Sequence, residues 1–308
     1  MNVHRVLLTT PPEWIKLDPT IAPWLRTGDW PAWWIRPAQK PDAPFCAAYR
    51  LTLDAAKPFR FHVAADEHYV FFANGQCVGR GAERGDAGHM FFDSYDVAPD
   101  GGELTLVFQV WGMSPHTPGR RVSTGHGLLL AGDRVNTGVA PWQCKLLTGL
   151  TLTGIHPFGA GASATFEAAE FPWGFERGDG DGWREVAKDE RGVSHHVDYC
   201  RAKPHSLLPA TLPAMHRAPV RPGRVRHVDA NPDGPVADNL AAEMPAWQRM
   251  LDVQTPVTIP AHTTRRVIVD HENYYCAYAT LTLSGGRGAT VRVKYAESLM
   301  DALPPGKV

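Results

Sequence analysis

FRFHVAADEHYVFFANGQCVGRG, residues 59–81, carries the clearest secondary-structure signal in the chain. In its first part, Phe61 and Val63 alternate with the residues on the other face of the chain, and this period of two is typical of a half-buried strand. An apolar run then leads into Asn74-Gly75, and both residues tolerate the positive φ that a two-residue hairpin turn requires. These residues therefore predict a strand, a turn and a β-hairpin.

Strand patterns continue after this segment. The next alternating face, in residues 103–112, consists of Leu104, Leu106, Phe108 and Val110. The 29 Gly and 27 Pro suit many short strands joined by tight turns rather than long helices. We therefore predict an all-β protein whose first domain, residues 1–200, is a jelly-roll-like (galactose-binding-like) β-sandwich with an aromatic lead-in segment.

The composition changes between residues 201 and 250, where eight of the 27 prolines lie. Such density interrupts regular strands and helices, so we predict an extended linker with one short helix near 237–244. Residues 251–308 then carry a few strand patterns, including a hairpin over 279–296. Because a common sandwich needs more strands than these, they are interpreted as the first strands of a second, truncated β-sandwich.

The charge balance excludes several kinds of partner. Lys and Arg number 31 against 32 Asp and Glu, a formal net charge of −1, which favours neither nucleic acid nor an anionic membrane. No segment is long and apolar enough to cross a bilayer. The first residues lack the apolar core of a secretion signal, and the five widely spaced cysteines predict reduced thiols. We therefore expect a cytoplasmic protein.

Three groups of motifs resemble, in the same order, the bacterial α-L-rhamnosidase family. The first, FHVAADEHYVFFANGQCVGRGAERGD at 61–86, has an apolar strand, an Asp-containing turn, Tyr, Asn-Gly and Val-Gly-x-Gly. The second, HMFFDSYDVAP at 89–99, has an aromatic-Asp-x-Tyr-Asp pattern. The third, VIVDHENYYCAYATLTLSGGRGATVRVKYAESL at 267–299, is similar to the start of the family's next β-sandwich.

The resemblance spans most of the chain and implies a function. In this family a barrel of paired helices follows the sandwiches and hydrolyses terminal α-L-rhamnosides with inversion, which needs two carboxylates about 6.5–9.5 Å apart. Those carboxylates lie on the barrel, and this sequence shows no long amphipathic helix. The chain is therefore interpreted as the accessory N-terminal region of an α-L-rhamnosidase-like glycoside hydrolase. It would have no catalytic residue of its own, and its C-terminal catalytic domain would lie outside this sequence.

The resemblance also points to a ligand site at the Asp66-Glu67 turn. In related sandwiches that bind rhamnose, an acidic turn in this region holds calcium, which prefers oxygen ligands, and sugar hydroxyls. It implies Asp66 and Glu67 as carbohydrate and calcium ligands, with Asn74 across the hairpin as a further carbohydrate-binding residue. The alternative is a plain turn in which Asp bonds its own backbone. The pair here is Asp-Glu, not the Asp-Asp or Asp-Asn of the binding members.

His89 and Trp111 complete the predicted carbohydrate site. His89 lies in an acidic and aromatic segment, 85–96, and sugar sites pair aromatic walls with a few polar groups. Trp111 follows a strand at the start of a loop, where it is either a sugar platform or a residue at the edge of the core. In the alternative interpretation of this segment, Asp93 and Asp96 cap turns while the aromatic side chains fill the core.

Two further polar clusters have simpler interpretations. The first consists of His195, His196, Asp198 and Cys200, which lack the second ligand pair expected of a zinc site and are interpreted as a strand with incidental polar residues. The second contains Glu170, Glu176, Asp179 and Asp181. We interpret it as a solvated loop that Trp173 and Trp183 anchor; the alternative is a paired-carboxylate glycosidase site.

Two other classes of function fit the predicted fold. A free-standing carbohydrate-binding module without hydrolase activity would have a complete second domain and would bind sugar by itself. A structural or adhesive protein of two sandwiches would usually carry a signal peptide. The hairpin over 279–296 adds an expectation of self-association, because an apolar face without a covering layer promotes it. A homo-oligomer is therefore one expected state of the chain.

Overall fold

The computed structural model describes residues 1–17, 26–39, 41–54, 57–83, 85–86, 89–113, 123, 125–153, 163–194, 206–220 and 223–296. The chain divides into two compact units, residues 1–215 and 216–308. The described part is almost entirely β, as the sequence predicts. No helix in these ranges is long and apolar enough to span a bilayer.

The first unit consists of strands and one turn of 3-10 helix. Its first eight strands are β1 (Asn2–Val6), β2 (Lys16–Leu17), β3 (Arg26–Thr27), β4 (Asp29–Pro37), β5 (Phe45–Asp54), β6 (Phe59–Asp66), β7 (His68–Ala73) and β8 (Gln76–Gly81). The others are β9 (Met90–Ala98), β10 (Glu103–Gly112), β11 (Gly127–Gly132), β12 (Gln143–Leu146), β13 (Leu150–Thr153), β14 (Ser163–Phe166), β15 (Arg184–Val193) and β16 (Leu207–Pro209). The 3-10 turn is Phe175–Arg177.

Twelve of the described strands form one sheet, in the order β1-β9-β6-β11-β4-β15-β12-β5-β10-β7-β8, with β16 parallel beside β9. β15 pairs with β4 from Val186 to Val193 and with β12 through Arg184 and Glu185. β15 therefore connects two layers. The first layer contains β1, β9, β6, β11 and β4, and the second contains β12, β5, β10, β7 and β8. The two layers pack face to face, which is a β-sandwich.

The main core lies between the two layers. Phe61 from β6 meets Phe71 and Phe108 of the second layer edge-on, with ring centroids 5.5 and 6.1 Å apart. Phe71 and Phe108 stack in parallel at 4.4 Å. The face predicted for residues 103–112 is confirmed, because Leu104, Leu106, Phe108 and Val110 are all buried in this cluster.

The predicted hairpin is also confirmed. β7 pairs antiparallel with β8 across Asn74 and Gly75, whose φ angles are 48° and 81°. Asn74 fixes the turn further, because its Oδ1 accepts the backbone N–H of Thr105 at 2.8 Å. The turn fixes the adjacent pairs, Ala73 with Gln76 and Phe72 with Cys77, and a register shift between Phe72 and Phe71 follows.

β6 differs from its prediction, because from Phe61 onward both of its faces are buried. A second apolar cluster covers the outer face of the first layer. In it, Trp30 meets Trp14 at 5.8 Å and Phe92 at 4.9 Å, both edge-on, and the Trp30 indole donates to Ser194 Oγ at 2.9 Å. These residues are distant in sequence from β6, so its period-two pattern does not reveal them.

His62 lies in this outer cluster and is buried. Its Nδ1 is 2.7 Å from Ser94 Oγ. Burial, followed by the nearby Arg60 charge, lowers the pKa of His62 to about 4. His62 is therefore neutral in the folded protein at neutral pH.

Lowering the pH should reduce the free energy of unfolding of the first unit through protonation of His62 in the unfolded chain. Between pH 6.5 and 4 the unfolded chain binds a proton that folded His62 does not, so the free energy of unfolding falls as the pH is lowered. The full effect is about 3 kcal/mol, from roughly 1.4 kcal/mol per pKa unit. Urea titrations followed by tryptophan fluorescence measure it, since nine of the ten Trp lie before residue 216. His62→Gln should flatten the profile in this window.

The second unit contains β17 (Arg224–Asp229), the helix α1 (Met244–Val253) and β18 (Arg266–Asp270). β17 and β18 pair antiparallel, and buried Asp229 receives Arg266 Nη2 at 2.6 Å. The predicted linker, residues 201–250, thus includes β16, β17 and the start of α1. The helix begins at Met244 rather than near 237, with Pro245 in its first turn, where a missing N–H costs nothing.

The hairpin predicted over 279–296 does not form strands in the structure. The side chains assigned to its inward face are all exposed: Leu281, Leu283, Val291, Val293 and Tyr295. The physical reason is that a two-stranded hairpin needs a further apolar layer for stability, and the described residues of this unit supply none.

This exposed apolar segment should make the isolated chain associate or remain sensitive to protease. Light scattering should show species larger than a monomer, or limited proteolysis should cut within 271–296 first. A monomer that resists protease through residue 296 would contradict this prediction.

Candidate functional site

One end of the sandwich gathers most of the residues predicted to bind a ligand. β6 ends at Asp66, β10 ends at Gly112 and β11 begins at Gly127. The antiparallel pairing of β6 with β11 places Asp66 opposite Gly127. We call this region the Asp66 end and define it by Asp66, Glu67, Trp111, Gly125 and His126.

Two buried carboxylates organise the Asp66 end. Asp66 is 0% exposed, and its Oδ2 accepts the backbone N–H of Gly125 at 2.9 Å. Glu67 is also buried, and its Oε1 accepts the backbone N–H of Met113 at 2.9 Å. The two adjacent carboxylates therefore bind the backbone at Met113 and at Gly125, the positions that flank residues 114–124. This is a wider role than the plain local turn considered for Asp66.

Aromatic groups line the same end. The backbone N–H of Glu67 donates to the Trp111 carbonyl at 3.3 Å, but the half-buried Trp111 side chain packs against the apolar cluster on the outer face of the second layer, at the edge of the core. His126 is buried, with Nε2 2.7 Å from the Tyr49 hydroxyl and its ring 4.5 Å from that of Phe45. Burial raises the pKa of Tyr49 well above its usual value, so its hydroxyl stays protonated.

The structure places His89 at this end but separates Asn74 from it. His89 directly precedes β9, which runs antiparallel to β6, and its Nδ1 lies 2.9 Å from Asp86 Oδ1. Asn74 follows the far end of β7, about 20 Å from His68 at roughly 3.3 Å per residue. Glu67 is thus bonded to the backbone of Trp111, whereas Asn74 lies at the opposite end of the sandwich.

The predicted calcium ligands form only part of a metal site. Among the described residues, no group of three or more His, Cys, Asp or Glu side chains is placed to hold a metal ion. Calcium takes six to eight oxygen ligands. Asp66 and Glu67 alone do not fit that requirement, so calcium binding stays a prediction.

The other polar clusters have different outcomes. His195, His196, Asp198 and Cys200 lie outside the described residues. Of the two predicted anchors in the acidic loop, Trp183 is buried, with Arg50 and Lys145 over its ring at 4.4 and 4.7 Å. Trp173 is 64% exposed and does not enter the core, but its indole donates to the Ala168 carbonyl within the loop at 2.7 Å.

A buried polar network in the core was not predicted. Asp93, on β9, receives Arg5 Nε at 2.6 Å and the Tyr69 hydroxyl at 2.6 Å. The Tyr69 hydroxyl is also 3.0 Å from that of Tyr95. Asp93 therefore does not cap a turn, and the sequence signal that identifies it is an acidic residue inside an otherwise apolar strand pattern. Asp96 does not cap a turn either, because it pairs with Arg60.

Two glycines of β8 pack against this network. A Cβ atom at Gly79 would overlap the Tyr95 hydroxyl, and one at Gly81 would overlap Asp93 Oδ2 and the Tyr69 hydroxyl. Only glycine leaves room for the polar groups at these two positions. The Val-Gly-x-Gly, Tyr and Asp-x-Tyr motifs, separate in sequence, thus form one contact network.

No protein-family model and no curated protein matches this chain. Its structure is similar to that of a GH78 family rhamnosidase of Bacillus sp. GL1, with a TM-score of 0.53 and 23% identity over 65% of this chain and 22% of that one. An α-L-rhamnosidase from Dictyoglumus thermophilum has a TM-score of 0.37 and 16% identity over 52% of this chain and 21% of that one. A lectin from Pleurotus ostreatus has 0.33 and 15%, over 58% of this chain and 46% of the lectin.

These similarities concern the fold. The Bacillus enzyme shares the β-sandwich, and the two lower scores carry no argument. The chain spans about a fifth of the length of each rhamnosidase. The fold therefore defines the class as an all-β sandwich protein, and any activity is a proposal.

Proposed function

We propose that this chain is the non-catalytic β-sandwich region of an α-L-rhamnosidase-like glycoside hydrolase that acts on terminal rhamnosides. The observation that carries the proposal is the network of Tyr69, Asp93, Tyr95, Gly79 and Gly81. The residues of the family-like motifs contact one another, so their pattern has a physical reason and is not a chance run of common residues. The fold shared with the Bacillus enzyme supports the same proposal.

Within this proposal the Asp66 end is the carbohydrate-binding site. Asp66 and Glu67 supply carboxylates that accept hydrogen bonds from sugar hydroxyls, or they position backbone groups that do so. A cytoplasmic location and a C-terminal catalytic domain as partner belong to the same proposal.

The purified chain should not hydrolyse 4-nitrophenyl α-L-rhamnoside. The reason is that its proposed role is accessory, with the two inverting carboxylates elsewhere in the enzyme. Release of nitrophenol is measured against a heat-inactivated sample. Turnover above that control would overturn the accessory role and direct attention to Glu170 and Glu176.

L-Rhamnose should bind the chain, and Asp66→Ala should weaken binding at least about tenfold, or roughly 1.4 kcal/mol. Isothermal titration calorimetry with and without calcium measures both the sugar and the metal dependence. Asp133→Asn is the matched control, because Asp133 is an exposed carboxylate just beyond the other end of β11. Circular dichroism establishes that Asp66→Ala is folded. No heat with the unaltered chain would leave the Asp66 end with a structural role alone.

A further inference from the structure

A second surface of the first unit exposes aromatic side chains. Trp173 is 64% exposed and Phe166 is 50% exposed. The buried Phe171 connects them, with ring centroids 5.4 Å from Phe166 and 4.8 Å from Trp173. We call these three residues the Trp173 surface. It contains no residue of the Asp66 end.

The Trp173 ring is held in its exposed position by its surroundings. The indole Nε1 donates to the Ala168 carbonyl at 2.7 Å, and the backbone N–H of Trp173 donates to the Phe171 carbonyl at 2.8 Å. The turn beneath it is closed by the Phe171 N–H, which donates to the Glu167 carbonyl at 3.0 Å. Phe171 itself is buried in the cluster that covers the second layer. A large aromatic ring fixed in solvent is a preorganised contact, because binding costs it little side-chain entropy.

The charge around this ring limits what can bind there. Residues 163–183 contain five acidic residues and one basic residue, Arg177, which donates to Asp179 at 2.7 Å. Glu167 and Glu170, on the turn that holds Trp173, are both exposed. Arg50 and Lys145 also donate to the carbonyls of Gly178 and Asp179, so a smaller excess of negative charge remains, which disfavours anionic ligands. The centre of a protein interface is depleted of charged residues, so a protein partner fits less well than a neutral ligand that donates hydrogen bonds.

We propose that the Trp173 surface binds a neutral saccharide. The apolar face of a pyranose ring stacks on the exposed indole, and its hydroxyl groups donate to the carboxylates of Glu170 or Glu167. Carboxylates are pure acceptors when ionised and therefore match sugar hydroxyls. This site is separate from the Asp66 end, and its existence does not depend on that proposed site.

The experiment titrates the 308-residue chain with neutral saccharides, L-rhamnose, D-galactose, D-glucose and their short oligomers, by calorimetry and saturation-transfer NMR. At least one of them should bind, and Trp173→Ala should weaken that binding at least about tenfold. Trp173→Phe should retain part of the affinity, and Glu170→Gln should reduce it several-fold. Trp33→Ala is the matched control and should leave binding unchanged, because the Trp33 ring is already covered by Lys188 Nζ at 3.5 Å.

Three results would overturn the proposal. One is that no saccharide in the panel binds. Another is that binding is unaltered by Trp173→Ala but lost in Asp66→Ala, which would leave the Asp66 end as the sugar site. The third is that Trp173→Ala changes only the sedimentation of the chain, which would make this surface a contact between copies. Loss of binding in Trp173→Ala with Asp66→Ala unaffected would support this site and contradict the one at the Asp66 end.

Discussion

Replacing Phe108 with alanine is expected to lower the free energy of unfolding of the first unit by about 3–5 kcal/mol. The Phe108 ring is fully buried, stacks on Phe71 at 4.4 Å and meets Phe61 at 6.1 Å, so its removal leaves a cavity between the two layers. The neighbouring rings come from different strands, so they close this cavity only in part. Urea denaturation followed by tryptophan fluorescence measures the change.

Phe166→Ala is the matched control for this substitution. Phe166 has the same side chain but is half exposed on the short strand β14. Its truncation should cost well under half as much, since an exposed side chain leaves no closed cavity. Equal losses at the two positions would contradict the placement of Phe108 at the centre of the core.

The strands that the sequence predicts best are those whose signal is local. The alternation in residues 103–112 and the Asn74-Gly75 turn each need only a few neighbouring residues to be recognised, and both were confirmed. The outer covering of the first layer is different in kind. Trp14 and Trp30 reach β6 from distant parts of the chain, and no local period encodes such a contact.

The candidate site shows the same limit. The acidic pair Asp66-Glu67 is recognisable in the sequence because it stands between two strand patterns. Its partners, the backbone N–H groups of Met113 and Gly125, are separated from it by about fifty residues and carry no side-chain signal. Asn74 was predicted to join the pair from across the hairpin, yet the six residues of β7 place it at the other end of the sandwich.

The segment 279–296 fails for another reason. Its alternation of apolar and polar residues is that of a strand pair, but a strand pattern is realised only when a partner layer covers its apolar face. In the described part of the second unit no such layer exists, and the side chains remain exposed. The pattern therefore indicates that these strands need a covering layer. It does not predict the structure of the segment without one.

Arg5→Met is the second substitution with a large expected effect, about 3–5 kcal/mol, which is typical of breaking a buried ion pair. Arg5 and Asp93 are 12% and 1% exposed, and Arg5 Nε lies 2.6 Å from Asp93 Oδ1. Arg5 also donates to the Leu212 carbonyl at 2.8 Å and lies 3.7 Å from Glu83. Its loss leaves the Asp93 carboxylate in the core without this cation and detaches β1 from the segment that contains Leu212.

Arg60→Met supplies the comparison, because Arg60 on β6 also pairs with an aspartate of β9. Arg60 donates twice to Asp96, at 2.5 and 2.7 Å, but it is 48% exposed. Water solvates both charges when this pair is broken, so the cost should be at most about 1 kcal/mol. Each variant removes an arginine that pairs with an aspartate of β9, and the two ion pairs differ mainly in burial. If their free energies of unfolding, measured by urea titration at neutral pH, fall by the same amount, the network around Asp93 does not stabilise the core as its geometry indicates.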